Sequence, residues 1–223
     1  MKNKLLLIVT LIIIVTTSSY GQILKDTVID VDGNIYHTVK IGKQTWLVEN
    51  LKVSRYRNGD SIPNVKDSKS WNYSTTGAYC NYKNDIKEAK IYGKLYNWHA
   101  VNDKRGVAPK GWHVATYDEW GKLINSSGGE RKAGCKLKET TSLHWVSPNK
   151  GATNSSEFLA LPGGYRYYNG VFGFIGESGA WWTATEYNTT EAWSIGIRSI
   201  NCEVNALSGV KADGFSVRCV KDN

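Results

Sequence analysis

Hydrophobic and polar positions alternate in the segment that begins at Ile29. In IDVDGNIYHTVKIGKQTWLVENL, Gly33 and Asn34 lie between two alternating runs, where a tight turn needs residues that tolerate a positive φ. IGKQTW is a second candidate turn. The pattern predicts two consecutive β-hairpins. DVDG does not have the spacing of an EF-hand calcium loop, in which glycine is sixth and an acid twelfth.

Helical periodicity predicts two helices in the first half of the chain. In IYGKLYNWHAVND, Ile91, Leu95 and Trp98 fall on one side of a helix. In GWHVATYDEWGKLINSSGG, Thr116 and Glu119 match the capping box that begins a helix. The apolar stripe of this second helix and the glycines that end it are Trp120, Leu123, Ile124, Gly128 and Gly129.

No further helix is predicted after Gly129. Residues 130–223 combine short strand-like runs with Gly, Asn and Ser turns, and GFSVRCVKDN ends the chain with Phe215, Val217 and Cys219 on one face. Helices followed by strands, rather than alternating βαβ units, predict an α+β fold. No repeat or linker divides the chain, so we expect one domain over residues 22–223.

The first residues have the pattern of a secretory signal peptide. Lys2 and Lys4 precede an apolar run from Leu5 to Val15, which is short for a membrane span, and small residues follow it. We expect residues 1–21 to be removed and the rest to be exported to the periplasm, the cell surface or the medium, with no membrane span. The alternative is an uncleaved N-terminal anchor.

Composition narrows the function classes. The chain has 9 Trp and 13 Tyr but only 4 Phe, and Trp and Tyr suit half-buried positions and binding surfaces. Its formal net charge of +8 is scattered, with no basic helix or RNA-binding signature, so we expect no nucleic-acid partner. The charge supports only a mild attraction to anionic surfaces or glycans.

Catalytic and cofactor motifs are missing from the sequence. It contains no HExxH, no GxSxG, no phosphate-binding glycine loop and no cysteine–histidine spacing typical of zinc. We therefore expect neither catalytic residues nor a metal site nor a cofactor. An enzyme is therefore the least favoured function. It is kept as a hypothesis because a pair of catalytic acids that meets only in space would escape a search for sequence motifs.

A series of motifs resembles a known family. The motifs are DVDGNIYHTVKIGKQTWLVENL, TTGAYCNY, YGKLYNWHAVND, GWHVATYDEW, HWVSPNKGATNSSEFLALPGGYR, GAWWTATEYN and GFSVRCVKD. In this order, from about Ile29 to Asp222, they resemble the Fibrobacter succinogenes major paralogous domain family. That family is similar to the formylglycine-generating enzymes and the C-type-lectin-like superfamily. The resemblance implies a loop-rich α+β domain with two helices and small twisted antiparallel sheets, and an exported bacterial protein.

The four cysteines invite a disulfide prediction in an exported chain. Sequence alone leaves three pairings of Cys80, Cys135, Cys202 and Cys219 open. Cys80 and Cys219 match cysteines of the family, so the resemblance implies a bridge between them, with Cys135 and Cys202 as candidates for a second. Formylglycine-generating enzymes use two closely spaced cysteines, and this chain lacks that spacing, so their oxidase activity is not implied.

The resemblance also directs attention to the late strands and loops, where C-type-lectin-like domains present ligand surfaces. The hypothesis is a non-catalytic binding module whose flat rings stack on sugars, with a structural or envelope role through a protein partner as the alternative. Neighbouring strand residues point to opposite faces, so one of Trp181 and Trp182 should be core and the other exposed. The candidate ligand-binding residues are Tyr165, Arg166, Tyr167, Tyr168, Trp181, Trp182 and Trp193, within Tyr165–Tyr168, the tryptophan pair and the stretch Trp193–Leu207.

Overall fold

The computed structural model describes residues 26–72 and 74–222, so the predicted signal peptide lies outside the described residues. The described residues form five α-helices and one short 3-10 turn, Tyr82–Asn84. The helices are α1 (Ser68–Asn72), α2 (Ile86–Tyr92), α3 (Trp98–Val101), α4 (Tyr117–Ser126) and α5 (Glu130–Leu137).

Thirteen short strands occur in the same residues. They are β1 (Thr27–Ile29), β2 (Ile35–Ile41), β3 (Gln44–Leu47), β4 (Tyr79–Cys80), β5 (Leu95–Tyr96), β6 (Trp112–Val114), β7 (Gly163–Arg166), β8 (Phe172–Ile175), β9 (Ser178–Glu186), β10 (Glu191–Arg198), β11 (Val204–Val210), β12 (Ser216–Val217) and β13 (Cys219–Lys221).

The strands form two main sheets and one small one. The first sheet has the order β1-β2-β3-β13-β6 and is antiparallel, so the last strand of the described chain lies between early ones. The second has the order β11-β10-β9-β7-β8, and β9 also pairs with β12. This sheet is mixed, because β9 pairs in parallel with β7 and β12. The α+β prediction is confirmed.

Both N-terminal hairpins are present. β1 pairs with β2 around Gly33, which has φ 82°, and β2 pairs with β3 around Gly42, which has φ 60°. The Asp30 carboxylate accepts hydrogen bonds from the Asn34 backbone N–H and side chain and from the Tyr36 hydroxyl. The acid next to the first turn therefore holds the hairpin itself.

The second predicted helix, α4, is confirmed at both ends and on its buried face. The Thr116 hydroxyl accepts a hydrogen bond from the Glu119 N–H, and the Glu119 carboxylate accepts one from the Thr116 N–H. Trp120, Leu123 and Ile124 are all buried. This helix has a local beginning, a local end and an amphipathic face, so its sequence suffices to specify it.

The other helix predictions are wrong in two respects. The single helix expected near Ile91 is divided: α2 ends at Gly93, which has φ 81°, and the next residues form β5 against β4. Ile91 is consequently exposed while Leu95 and Trp98 are buried. The second error is α5, which was not expected after Gly129. Its inward face is built largely from small residues, so its hydrophobic period is weak: Ala133, Gly134, Cys135 and Leu137.

Aromatic side chains fill the core. Eight of the nine tryptophans are buried, and only Trp193 is half-exposed. One cluster contains Trp182, Phe215 and Cys219, and a second, beneath α4 and α5, contains Trp120 and Trp181. Tryptophan in this chain is mainly a core residue, contrary to the expectation that it marks binding surfaces.

Candidate functional site

The two adjacent tryptophans are both core residues, and the prediction that one is exposed is wrong. Trp181 and Trp182 are each 0% exposed. They do point to opposite faces of β9, because Trp181 packs against Trp120 and Trp182 against Phe215. The error has a simple cause: both faces of β9 are covered, one by the cluster that contains Trp120 and the other by the cluster that contains Phe215. Neither ring can contact a ligand at the surface.

Arg166 is also buried and cannot contact a ligand at the surface as predicted. Its guanidinium donates hydrogen bonds to the carbonyl oxygens of Val65, Lys66 and Gly170 and lies 4.6 Å from the Trp71 ring centroid. It ties the β7 segment to the loop before α1. Its role in the described residues is structural.

Trp193 lies away from the predicted tyrosines. Its ring is half-buried between Tyr117 and Tyr187, with ring centroids 4.7 and 4.8 Å away. It occupies the face of β10 that carries Ile195, whereas Gly196 and Arg198 occupy the other face. The structure therefore does not bring Trp193 together with Tyr165 and Tyr167.

A cavity of about 210 Å³ opens on that other face, beside Tyr165. We call it the aromatic groove and define it by six of its lining residues: Tyr165, Phe174, Gly196, Arg198, Asn205 and Leu207. The last four lie in or beside the predicted stretch Trp193–Leu207. They share one face because Gly196 and Arg198 are two residues apart on β10, and Gly196 pairs with Asn205.

Aromatic rings form one wall of the groove. The Tyr165 and Phe174 rings are stacked, with centroids 5.2 Å apart and an interplanar angle of 15°. Tyr165 also makes edge contacts with Tyr167 and Phe215. Phe215 in turn packs on Trp182, so a continuous series of rings runs from the core to the surface. Phe174 is 37% exposed, and its ring is the outer member of this series.

Two hydroxyl groups lie on the aromatic wall. The Tyr165 and Tyr167 hydroxyls are 3.3 Å apart and share a hydrogen bond. Burial, and then the hydrogen bond to Tyr167, raise the pKa of Tyr165 above its ordinary value. The phenol therefore remains neutral near pH 7, where it can both donate and accept a hydrogen bond. Tyr168 is exposed, and its backbone N–H donates to the Asp213 carboxylate at 2.7 Å.

Glycine creates the floor of the groove. A Cβ atom added to Gly196 would meet only the Asn205 carbonyl oxygen, at 3.9 Å. The space above it is therefore open to a ligand rather than filled by a neighbouring side chain. Phe174 has φ 65°, a conformation that large residues rarely adopt.

Arg198 is the charged member of the groove. Its side chain is exposed, and within residues 26–72 and 74–222 its guanidinium has no carboxylate within salt-bridge distance. Its positive charge acts on Tyr165, lowering the tyrosine pKa against the larger effect of burial. The guanidinium therefore faces the groove with unused hydrogen-bond donors.

Lys138 holds the strand end that carries Arg198. Its side chain is buried, and its ammonium nitrogen lies 3.0–3.5 Å from four backbone carbonyl oxygens, those of Lys150, Arg198, Ser199 and Asn201, which share its three N–H donors. Burial lowers the pKa of Lys138 to about 8. Nothing in the sequence distinguishes this residue, because a lysine in a charged segment resembles any exposed lysine.

A disulfide braces the same turn. Cys135 of α5 is bonded to Cys202, in the turn between β10 and β11. The backbones approach closely there, because a Cβ on Gly134 would lie 2.8 Å from the Cys202 carbonyl oxygen. The predicted second bridge is thus confirmed.

The predicted bridge between Cys80 and Cys219 is wrong. Both are free thiols, and burial raises the pKa of each to about 12. Cys80 lies in the small β4–β5 sheet and packs with Trp71, whereas Cys219 lies in the first sheet and packs in the cluster of Trp182. They occupy different side-chain clusters, so their sulfur atoms do not meet.

A larger cavity than the aromatic groove lies elsewhere in the described residues. A cavity of about 640 Å³ near Lys40, Lys136 and Ser155 is lined without any aromatic ring. Among residues 26–72 and 74–222, no group of three or more His, Cys, Asp or Glu side chains could hold a metal ion. None of the helices in these residues is long and apolar enough to cross a membrane.

Comparison with known proteins identifies a family. The family model described as the Fibrobacter succinogenes major domain matches residues 39–221, which is most of the chain. The match contains every residue of the aromatic groove. Searches of curated proteins and of solved structures found no match.

Proposed function

The chain belongs to the Fibrobacter succinogenes major domain family, and from this premise we propose that it is an exported, non-catalytic binding module for carbohydrate. The proposal rests on one observation: the stacked pair of Tyr165 and Phe174 beside an open floor at Gly196. Sugar rings have apolar faces that pack on aromatic rings, and their hydroxyl groups need polar partners nearby.

The size and chemistry of the groove support this ligand class. A cavity of about 210 Å³ lies below the roughly 300–1,000 Å³ of sites for drug-sized ligands, which favours a single sugar ring. Asn205 and the hydroxyl of Tyr165 provide polar groups at its edge. Leu207 adds exposed apolar surface. Apolar surface beside a few polar groups is typical of ligand pockets.

The lining of the groove also supports a role without catalysis. No Asp or Glu is among its described lining residues, whereas glycoside hydrolysis generally requires a pair of carboxylates across the scissile bond. The tyrosine phenol, with its raised pKa, is a poor base near pH 7.

A glycan array on the purified protein, produced under oxidising conditions, tests the proposal. The informative variant is Gly196→Val, because a Cβ at this position projects into the groove and meets only the Asn205 carbonyl oxygen, at 3.9 Å, an ordinary contact distance. Valine also suits a β-strand. We expect the wild type to bind at least one glycan class and Gly196→Val to lose that binding while keeping the thermal unfolding midpoint.

Ser208→Val is the matched control. Ser208 is exposed on β11 opposite Trp193, and so lies on the other face of the same sheet. It should bind as the wild type does. An array with no bound glycan, or binding that survives Gly196→Val unchanged, would contradict the proposal.

We further propose that the domain has a C-type-lectin-like fold. In support, β3 pairs with β13, so early and late strands of the chain adjoin, and the two longest described helices, α4 and α5, pack beside the mixed sheet. An experimental structure superposed on C-type-lectin-like domains tests this point; a different strand order in the second sheet would argue against it.

A further inference from the structure

We propose that the aromatic groove selects sugars that carry an anionic group, a carboxylate or a sulfate, and that Arg198 is the residue that recognises it. This inference rests on the proposed function and specifies its ligand class. The observations that carry it are the position of Arg198 in the groove lining and its lack of a carboxylate partner among the described residues.

Four of the other arginines of the described chain use guanidinium donors within the protein. Arg55 pairs with Asp32, and Arg105 pairs with Asp60 and Asp103. Arg166 and Arg218 are buried and donate to backbone carbonyl oxygens. Arg198 differs from these four because its guanidinium is exposed at a cavity and faces no such acceptor.

The guanidinium group suits an anionic sugar better than a neutral one. Its planar donors bind a carboxylate with two parallel hydrogen bonds, and hydrogen bonds between charged groups are roughly twice as strong as neutral ones. The aromatic wall lies beside it, so a ring stacked near Phe174 can direct an acidic substituent toward Arg198. No carboxylate of the described lining residues would repel that substituent.

Arg198 is held by its backbone rather than by its side chain. The Lys138 ammonium donates a hydrogen bond to the Arg198 carbonyl oxygen, and the Cys135–Cys202 disulfide anchors the turn that follows β10. The strand end is therefore preorganised, while the guanidinium keeps all its donors for a ligand. Preorganisation reduces the entropy lost on binding.

The test compares three oligosaccharides of equal length, which end in galacturonic acid, galactose 6-sulfate or galactose, by titration calorimetry. We expect at least one of the two acidic sugars to bind at least about tenfold more tightly than the neutral sugar. We expect Arg198→Gln to remove that preference. The two acidic probes distinguish a carboxylate ligand from a sulfate ligand.

Two controls separate recognition from the general attraction of a basic protein. Arg131→Gln removes one positive charge from an exposed position on α5 and should leave the preference intact. Arg198→Lys keeps the charge but not the planar donors, and should retain only part of the preference. Equal losses in Arg131→Gln and Arg198→Gln would overturn the inference.

The outcomes also distinguish this inference from the proposed function. Binding of all three probes with equal affinity, which Gly196→Val abolishes and Arg198→Gln does not change, would overturn the role of Arg198 and leave the carbohydrate site standing. The absence of binding to all three probes and to a glycan array would overturn both.

Discussion

At the scale of single residues, buried polar groups accept hydrogen bonds from the indole N–H groups of Trp181 and Trp182 and so allow both rings to be fully buried. The Trp181 indole N–H donates to the Asn50 side-chain oxygen, which also accepts from the buried Arg218. The Trp182 indole N–H donates to the Tyr96 carbonyl oxygen. Each ring of the pair is thus fully buried and has its polar atom satisfied, which makes both tryptophans structural.

We predict that Trp181→Ala and Trp182→Ala each lower the free energy of unfolding by about 3–5 kcal/mol, because each leaves a large cavity in a packed core. Trp193→Ala should cost clearly less, since that ring is already half-exposed. Urea denaturation followed by circular dichroism measures all three. A near-neutral result for either member of the pair would mean that its side of β9 is not covered.

At the scale of elements, the N-terminus of α4 is coupled to two strands through His113. The two ring nitrogens of His113 on β6 contact Asp222, after β13, at 2.6 Å and Glu119 of α4 at 2.8 Å. Burial would lower the pKa of His113, but the hydrogen bonds to the two carboxylates outweigh it and raise the pKa. His113 therefore connects a helix start with a strand end, and protonation of its ring strengthens both contacts.

This arrangement predicts a pH-dependent contribution to stability. Since the folded pKa of His113 is raised, its contribution is complete below the unfolded value of about 6.5 and is lost as the pH rises through the folded value. We expect the difference in unfolding midpoint between the wild type and His113→Gln to be largest near pH 5.5 and to shrink toward pH 8.5.

Thermal unfolding of both proteins across this range measures the effect. Groups that titrate in both proteins, such as Lys138, cancel in the difference. A difference that stays constant or grows with rising pH would show that His113 is not charged in the folded protein.

At the scale of the whole molecule, one covalent link joins the helical part to the sheet that carries the groove. Cys135 and Cys202 are separated by 67 residues, and the bond between them fixes α5 against the β10–β11 turn. Closing so long a loop restricts the unfolded chain considerably. The same link supports the strand end that bears Arg198.

We predict that the double variant Cys135→Ser, Cys202→Ser loses about 2–4 kcal/mol of stability and, where it still folds, binds glycans more weakly. Chemical denaturation and the glycan array measure the two effects. Cys80→Ala is the control, because this buried free thiol does not line the groove and should alter stability without selectively altering glycan binding. A double variant as stable as the wild type would contradict the prediction.

Prediction from the sequence succeeds for elements that depend on neighbouring residues and fails for those that depend on contacts between distant segments. The hairpin at Gly33 and helix α4 depend on residues within a few positions of each other, and both were predicted correctly. The division of the first helix depends on β5 pairing with β4, some fifteen residues earlier. The mistaken Cys80–Cys219 bridge came from family resemblance, which does not measure the distance between two sulfur atoms.

The same contrast between local and long-range determinants holds for the candidate site. The family resemblance implies Tyr165, Tyr167 and the stretch Trp193–Leu207 as site residues, and strand alternation puts Gly196 and Arg198 on one face. Phe174 was not predicted, because it reaches the groove only through the β7–β8 pairing and its stacking on Tyr165.

The sequence by itself determined the α+β class, the family, the hairpins and α4, because these depend on local periodicity, turn chemistry and motif order. Only the tertiary structure decided which rings are core and which are surface. Burial depends on what covers each face of a strand, and for β9 both covers come from distant segments, α4 on one side and Phe215 on the other. The aromatic groove lies at the edge of the region of β9 that Phe215 covers, beside Tyr165.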